Sequence, residues 1–285
     1  QGYSSAASDV YKRQGEFIKV GAVAPDFELV KTDLSSFSLK ELNGKNVILN
    51  IFPSLDTGVC ATSVRKFNEL AAGLPDTVVL AVSKDLPFAH ARFCTTEGIE
   101  NVIPLSDFRC SDFDENYGVR MVDGPLSGLL ARAVIVVGKD GKIAYTELVP
   151  EITQEPDYEK AIAAVYGHNM QTSIKASLIS AAVTLPGEQE GKSLVHEIQT
   201  KRGIVDMEIR KIDKNNISIS INGNDVIKKI PEAILKSPNA FQAVDGKKSI
   251  VDYIGSKINE ELSRSHQISK DLTLTISKNN TISIK

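Results

Sequence analysis

The sequence is poor in cysteine and contains no long apolar segment. Three of its 285 residues are cysteine, Cys60, Cys94 and Cys110, and none follows residue 110. An odd number does not fit the disulfide framework of a secreted protein, so we expect reactive thiols in a reducing, cytoplasmic compartment. No run has the roughly 20 apolar residues that a membrane span needs, and the first residues lack the apolar centre of a signal peptide.

Residues for two further kinds of binding site are also missing. The four histidines, at positions 90, 168, 196 and 266, have no metal-ligand spacing, so we predict no metal and no cofactor. In residues 171–285 the lysines are diluted by acids, and no basic cluster is interleaved with aromatics. These charges indicate a solvated surface rather than a nucleic-acid-binding patch.

The composition divides the chain near Met170. Residues 1–170 carry a net charge of −7 and residues 171–285 carry +4, and an Ala/Val-rich sequence gives way to one rich in Ile, Asn and Lys. A chain of 285 residues, 42% of them hydrophobic, is long enough for two ordinary domains. We predict a leader over residues 1–16, a first domain over 17–168, a linker over 169–190 and a second domain over 191–285.

Both ends of the chain leave alternatives open. The first 16 residues have no initiator Met, and SSAASDVYKRQ looks like a translated sequencing adapter, so we expect a non-native leader; a genuine disordered N-terminus is the alternative. The abrupt change near Met170 fits a segment joined during assembly or read through a lost stop codon. It also fits a genuine fused module that binds a partner.

Strand and helix signals alternate from about Gly21. The β-rich runs KNVILNIF, TVVLAVS and NVIPLSD are each followed by a helical segment, CATSVRKFNELAAGL, LPFAHARFCTTEG and SDFDENYG in turn. Strands at 132–137 and 142–148 flank a Gly138–Gly141 turn, and PDYEKAIAAVYG predicts a closing helix that ends at Gly167. A βαβ series that ends in a hairpin and a helix predicts a thioredoxin-like α/β domain.

The second half predicts a separate small α+β domain. GIVDMEIRKIDKNNISISING and DLTLTISKNNTISIK alternate apolar and polar residues around Lys-Asn-Asn turns, which predicts two hairpins. VIKKIPEAILKS and SIVDYIGSKINEELSR have helical spacing, and in the second of them five residues share a face: Ile250, Tyr253, Ile254, Ile258 and Leu262. Gly-Asn-Asp at 223–225 predicts a turn and not a metal loop.

The segment PSLDTGVC, Pro53–Cys60, places a cysteine just inside the N-terminus of a predicted helix. Unpaired backbone N–H groups and the positive end of the helix dipole favour the thiolate there. The thiolate is the nucleophilic form of cysteine. From its position alone, Cys60 is either such a reactive thiolate or a structural cysteine buried under the helix.

Four motifs carry a resemblance to a known family. Pro53, Thr57 and Cys60 form the pattern P-x3-T-x2-C, which resembles the active-site motif of the peroxiredoxins. The strings NIFPSLDTGVCATSVRKFN, DLPFAHARFC, GPLSGLLARAVIVV and EITQEPDYEKA are similar to the bacterial thiol peroxidases, which are atypical two-cysteine peroxiredoxins. The resemblance covers about residues 20–166, and four motifs in the right order make it specific.

The resemblance implies a role for each of five residues. Cys60 matches the peroxidatic cysteine, which becomes a sulfenic acid, and Cys94 matches the resolving cysteine, which then forms a Cys60–Cys94 disulfide. Thr57 matches the hydroxyl that binds thiolate and peroxide, Pro53 the residue that shields the pocket from water, and Arg132 the arginine that polarises the O–O bond. Without the resemblance, Thr57 would be read as a helix cap and Arg132 as a solvated charge at a strand end.

The resemblance also implies the overall function. It implies an antioxidant peroxidase for hydrogen peroxide and organic hydroperoxides that maintains cell redox homeostasis, with thioredoxin as the reductant and a homodimer as the assembly. Cys110 matches no role and is interpreted as a bystander. Residues 171–285 contain no catalytic or phosphate-binding motif, and they put the dimer in question if they cover its interface. A second function class stays open, a redox-sensing scaffold whose C-terminal domain binds a partner.

Overall fold

The computed structural model describes residues 13, 15–74, 76–109, 112–185, 191–235, 241, 248–271, 274–276 and 282–284. The chain divides into two compact units, Gln1–His168 and Asn169–Lys285. Each unit has its own apolar core. Among the helices so described, none is both long and apolar enough to cross a membrane.

The first unit is built on a seven-stranded sheet with the strand order β2-β1-β5-β4-β3-β6-β7. The three central strands β3, β4 and β5 run parallel, and the other pairs are antiparallel. The elements are β1 (Glu28–Val30), β2 (Ser36–Ser38), β3 (Asn46–Ile51), α1 (Gly58–Ala71), β4 (Thr77–Ser83), α2 (Pro87–Glu97), β5 (Val102–Ser106), α3 (Asp112–Asn116), β6 (Ala133–Val137), β7 (Ile143–Leu148) and α4 (Tyr158–Thr184).

Strand β3 is buried on both faces because helices cover both sides of the sheet. Val47, Leu49 and Ile51 belong to one apolar cluster, while Ile48 belongs to the other. This alternation follows from the two-residue period of a strand. Phe67 of α1 lies on the Ile48 side. The continuous apolar run in the sequence is therefore that of a central strand in a parallel sheet.

Most elements predicted for the first unit are confirmed, and the closing helix is longer than predicted. The βαβ series, the 138–141 turn and α2 lie where the sequence indicates. Helix α4 does not end at Gly167 but continues to Thr184. Beyond Gly167 the helix carries Met170, Ile174 and Leu178, which are buried in the core of the second unit. Burying this stripe outweighs the cost of about 1 kcal/mol for a glycine inside a helix.

The short strands β1 and β2 were not predicted, and part of the expected leader has a defined place. Arg13 forms a bridge with Met121, and its guanidinium donates to the carbonyl of Gly118 at 2.9 Å. Residues 1–12 and residue 14 lie outside the described residues. The predicted domain limits, including a linker at 169–190, stay a prediction, although residues 169–184 are helical.

The second unit contains a four-stranded antiparallel sheet with the order β11-β10-β9-β8. Its elements are β8 (Ser193–Thr200), β9 (Gly203–Asp213), β10 (Asn216–Ile221), β11 (Asn224–Pro231), α5 (Glu232–Leu235), α6 (Ile250–Asp271), β12 (Leu274–Ile276) and β13 (Ile282–Ile284). The first predicted hairpin is confirmed as β9–β10. For the second, the antiparallel pairing of β12 with β13 is confirmed, and its predicted turn lies outside the described residues. Strand β8 was not predicted.

The helix predicted for VIKKIPEAILKS is wrong over the first half of the segment. Residues 224–231 form β11, which pairs with β10, whereas Glu232–Leu235 are helical and residues 236–237 lie outside the described residues. Asn222 and Gly223 both have positive φ angles, 49° and 80°, as in a two-residue type I′ hairpin turn. This turn returns the chain along β10 and overrides the helical spacing. The helix predicted near residue 250 is confirmed as α6, although Tyr253 is exposed while Ile254 and Ile258 are buried.

Two glycines with left-handed backbone angles give a test of the first unit. Gly98 ends α2 with φ +64° and has no neighbouring atom where a Cβ would stand, whereas a Cβ on Gly118, with φ +66°, would overlap the backbone of Glu16. We expect Gly98→Ala to lower the free energy of unfolding by about 1–2 kcal/mol through backbone strain. Gly118→Ala should lower the free energy of unfolding by about 1–3 kcal/mol more than Gly98→Ala does, because the backbone of Glu16 must also move.

Urea unfolding followed by circular dichroism measures both losses. Gly98→Ala is the control, since it carries the strain without the overlap. Equal losses for the two variants would contradict the close approach of Glu16 to Gly118.

Candidate active site

The β3–α1 loop, residues 52–57, lies at the carboxyl end of a central parallel strand, where open α/β folds bind ligands. Thr57 precedes the first helical residue and Cys60 is the third residue of α1. The cysteine is fully buried, as is Pro53. The sequence prediction of a cysteine in the first turn of a helix is confirmed.

The Thr57 hydroxyl does not cap helix α1. Thr57 has the extended backbone of an N-cap residue, but its side chain makes no capping hydrogen bond. Its hydroxyl instead donates to the carbonyl of Ser54 at 3.1 Å, and its backbone N–H donates to the same oxygen at 3.2 Å. The loop is therefore closed on itself just before the helix begins. The role of the hydroxyl toward thiolate and peroxide stays a prediction.

Arg132 is buried beside Cys60, so its interpretation as a solvated strand-end charge is wrong. Only 1% of the residue is exposed. It precedes Ala133, which pairs with Ile51, and this register brings the start of β6 to the end of β3. The guanidinium donates through Nη2 to the sulfur of Cys60 at 3.4 Å and to the carbonyl of Ile152 at 2.7 Å.

The guanidinium also has capacity to bind a ligand. Within the described part of the chain, Nε and Nη1 of Arg132 have no hydrogen-bond partner. A buried N–H group without a partner costs free energy, and guanidinium groups match oxygen acceptors well. A ligand oxygen beside the thiol would satisfy these donors. The site therefore combines a nucleophile with fixed positive charge.

Two buried residues behind Cys60 were not found from the sequence. The Ser63 hydroxyl donates to the carbonyl of Cys60 at 2.8 Å and accepts from the amide of Asn50 at 3.2 Å. Ser63 stands three residues after Cys60 on α1, and Asn50 lies in β3. The only sequence signal is a polar residue inside each apolar pattern. These bonds hold the first turn of α1 against the sheet.

Cys94 lies on α2 and is half-buried, with a free thiol like that of Cys60. It packs against the apolar cluster that contains Cys60. Burial raises the pKa of the Cys94 thiol. Its carbonyl accepts from the N–H groups of Gly98 and Ile99, which end the helix. Cys110 lies outside the described residues.

No group of three or more His, Cys, Asp or Glu residues is placed to hold a metal ion in the described ranges.

Comparisons with known proteins show which family and which relatives this chain resembles. A family profile described as Redoxin matches residues 19–162. A thiol peroxidase of Corynebacterium glutamicum is 59% identical over 151 residues, which are 53% of this chain and 91% of that protein. A thiol peroxidase of Mycobacterium tuberculosis is 61% identical over 151 residues, 53% of this chain and 90% of that protein.

A solved structure is also similar to this chain. The crystal structure of a peroxiredoxin-like protein from Aquifex aeolicus is 44% identical, with a TM-score of 0.51, and the match covers 53% of this chain and 88% of that one. The first unit thus has the thioredoxin-like fold of the peroxiredoxins, and the predicted resemblance to thiol peroxidases is confirmed there. The chain belongs to the Redoxin family.

A buried histidine on α2 predicts a pH dependence of stability. His90 is 1% exposed, its Nε2 lies 3.0 Å from the Ser83 hydroxyl, and burial lowers its pKa to about 4. As the pH falls from about 6.5 to 4, the unfolded chain binds a proton that the folded chain refuses. Stability should therefore fall in this window, by at most about 3 kcal/mol from this residue.

Unfolding free energies of the wild type and His90→Gln between pH 4 and pH 7 measure this contribution. Asp107 changes stability with pH in the opposite sense, because burial raises its pKa to about 7. Both proteins contain Asp107, so the difference between their pH dependences isolates the contribution of His90. Identical pH dependence in both proteins would contradict the prediction.

Proposed function

We propose that the first unit is a thiol peroxidase that reduces hydrogen peroxide and organic hydroperoxides through Cys60. One observation carries the proposal: the sulfur of Cys60, in the first turn of α1, accepts from the buried guanidinium of Arg132 at 3.4 Å. Relatives named thiol peroxidase that are about 60% identical over 151 residues support it. The odd cysteine count favours a reducing compartment, and we infer a cytoplasmic protein.

The first step oxidises the cysteine. The Cys60 thiolate attacks one oxygen of ROOH, an S–O bond forms and the O–O bond breaks, which leaves a sulfenic acid and RO⁻ that takes up a proton to become ROH. Negative charge develops on the leaving oxygen. Donors fixed in advance stabilise such charge without reorganisation, and the spare N–H groups of Arg132 are suited to this.

The second step would restore the cysteine through Cys94. The Cys94 thiolate attacks the sulfenic sulfur, the S–O bond breaks, and the hydroxide that leaves takes up a proton to become water. The Cys60–Cys94 disulfide that forms is reduced by a dithiol protein such as thioredoxin, whose two thiols become a disulfide. Because the two cysteines lie on different helices and Cys94 is half-buried, we expect α2 to unwind locally around Cys94. We also propose a homodimer, as the family resemblance implies.

One observation favours a second candidate function. Residues 169–285 form a compact unit with a core and sheet of their own, and the match to the Redoxin family ends at residue 162. A redox-sensing scaffold would use the first unit as sensor and this second unit to bind a partner. It requires slow reaction with peroxide and binding that changes on oxidation.

Replacing each cysteine separates the two steps. We expect Cys60→Ser to abolish reaction with cumene hydroperoxide, because the nucleophile is lost. Cys94→Ser should allow one rapid turnover and then stall until an external thiol is added. Stopped-flow mixing of the reduced protein, followed by mass spectrometry for the Cys60–Cys94 disulfide, measures both.

The wild type is the reference in this series. A wild-type reaction no faster than that of free cysteine would reject the peroxidase and favour the redox-sensing scaffold. Full multiple turnover in Cys94→Ser without added thiol would reject Cys94 as the resolving residue.

Replacing Arg132 tests the fixed donors. Arg132→Lys keeps the positive charge but removes the planar fork of N–H groups. We expect the second-order rate constant for Cys60 oxidation to fall roughly 100- to 1,000-fold, the usual effect of losing a donor to a developing oxyanion. Stopped-flow measurement under single-turnover conditions gives the rate constant.

Arg65→Lys is the matched control, because Arg65 is an exposed residue of the same helix as Cys60 and pairs with Glu97. It should leave the oxidation step unchanged. A small effect of Arg132→Lys, similar to that of Arg65→Lys, would mean that charge alone serves the reaction.

A further inference from the structure

We propose that Asp85 is a positioning residue for the oxidation of Cys60, because its carboxylate fixes the β3–α1 loop. The inference rests on the proposed peroxidase function of that loop. Asp85 follows β4 and was not singled out by the sequence. Among the described hydrogen bonds, none joins it to Cys60 or Arg132, so it would act only through the loop.

The Asp85 carboxylate accepts three hydrogen bonds. Its Oδ1 accepts from the hydroxyl of Ser54 at 2.8 Å. Its Oδ2 accepts from the backbone N–H of Leu55 at 2.7 Å and from the hydroxyl of Ser83 at 2.8 Å. Hydrogen bonds to an ionised carboxylate are shorter and stronger than neutral ones. Two of the three donors belong to the β3–α1 loop.

Asp85 is itself held by the ends of the central strands. Strands β3 and β4 are parallel neighbours, and the N–H of Phe52 donates to the carbonyl of Val82 at 3.1 Å, so the segments after both strands run side by side. The backbone N–H of Asp85 donates to the Ser83 hydroxyl at 3.2 Å. Its carbonyl accepts from the hydroxyl of Ser106 at the end of β5. The carboxylate therefore projects from a fixed base.

Ser54 links the Asp85 carboxylate to the N-terminus of α1. The Ser54 carbonyl accepts hydrogen bonds from both the N–H and the hydroxyl of Thr57, the residue just before α1. A Ser54 that is fixed by Asp85 therefore fixes Thr57 and the entry to the first turn that carries Cys60. Misplacement of reacting groups by about 1 Å can lower a rate roughly 100-fold.

The same group connects the loop to the helix of Cys94. The Ser83 hydroxyl, which donates to Asp85, also lies 3.0 Å from Nε2 of the buried His90 on α2. His90 stands one helical turn before Cys94. A continuous polar chain thus runs from Ser54 through Asp85 and Ser83 to His90. Through Ser83, the Asp85 carboxylate is therefore also connected to a buried residue, His90, on its other side.

The test compares two reactions of Cys60, each measured in the Cys94→Ser background. Both reagents must reach the buried thiolate of Cys60, but cumene hydroperoxide also needs the loop aligned for attack on its O–O bond, whereas iodoacetamide does not. We expect Asp85→Asn to lower the rate with hydroperoxide roughly 10- to 100-fold and to leave the alkylation rate of Cys60 about unchanged. Stopped-flow and peptide mass spectrometry give the two rates.

Asp33→Asn is the matched control. Asp33 also accepts from a serine hydroxyl and a backbone N–H, both of Ser35, but on an exposed loop. It should leave both rates as in the wild type.

Ser54→Ala keeps the test decisive if Asp85→Asn does not fold. It removes one of the two loop contacts and should lower the hydroperoxide rate selectively but less. Where both variants fold, the effect of Asp85→Asn should be smaller in the Ser54→Ala background, because residues that share a contact are not additive.

The possible results separate the two proposals. A wild-type protein that reacts no faster than free cysteine overturns both the peroxidase and the role of Asp85. A fast wild type with Asp85→Asn equal to Asp33→Asn overturns the role of Asp85 alone. Equal changes of the hydroperoxide and alkylation rates would make Asp85 a structural residue and also overturn the positioning role.

Discussion

The burial of one permanently charged group, the guanidinium of Arg132, constrains the rest of the first unit. Moving an ion out of water costs several kcal/mol unless partners replace the lost water. The carbonyl of Ile152 and the sulfur of Cys60 are such partners, and both contact the same nitrogen, Nη2. Two further nitrogens remain for a ligand. A group that is costly to bury and only partly paired is what a binding site for a polar substrate requires.

The sheet explains how this arrangement is held. Antiparallel pairing of β3 with β6 places Arg132 beside the β3–α1 loop, while parallel pairing of β3 with β4 places Asp85 on its other side. Contacts from both neighbouring strands therefore hold this region, from Asp85 to the loop and from Arg132 to Cys60 in the first turn of α1. Its sequence could not hold it alone, because the described hydrogen bonds within the loop reach only from Asp56 and Thr57 back to Ser54. Cys60 therefore takes its position from the core.

How much of this could be predicted depends on sequence distance. The position of Cys60 in the first turn of α1 follows from a strand, a turn and a helix in succession, which local patterns reveal. The burial of Arg132 does not, because its partner is 72 positions away and depends on the register of β3 and β6. Helix α4 and strand β11 show the same limit. Gly167 was read as a helix end and VIKKIP as a helix, but burial and the Asn222-Gly223 turn decided otherwise.

The two proposed steps make opposite demands on the helices. Oxidation needs Cys60 fixed, and the buried contacts of α1, including Phe67 and the Ser63 hydroxyl, provide this. The proposed resolution needs Cys94 to move, and the described ion pair between α2 and α1, Arg65 with Glu97, is partly exposed. Exposed ion pairs contribute little to stability, whereas buried apolar contacts contribute much. We therefore expect α2 to open at lower cost than α1, so that in the proposed cycle Cys60 would stay fixed while Cys94 moves.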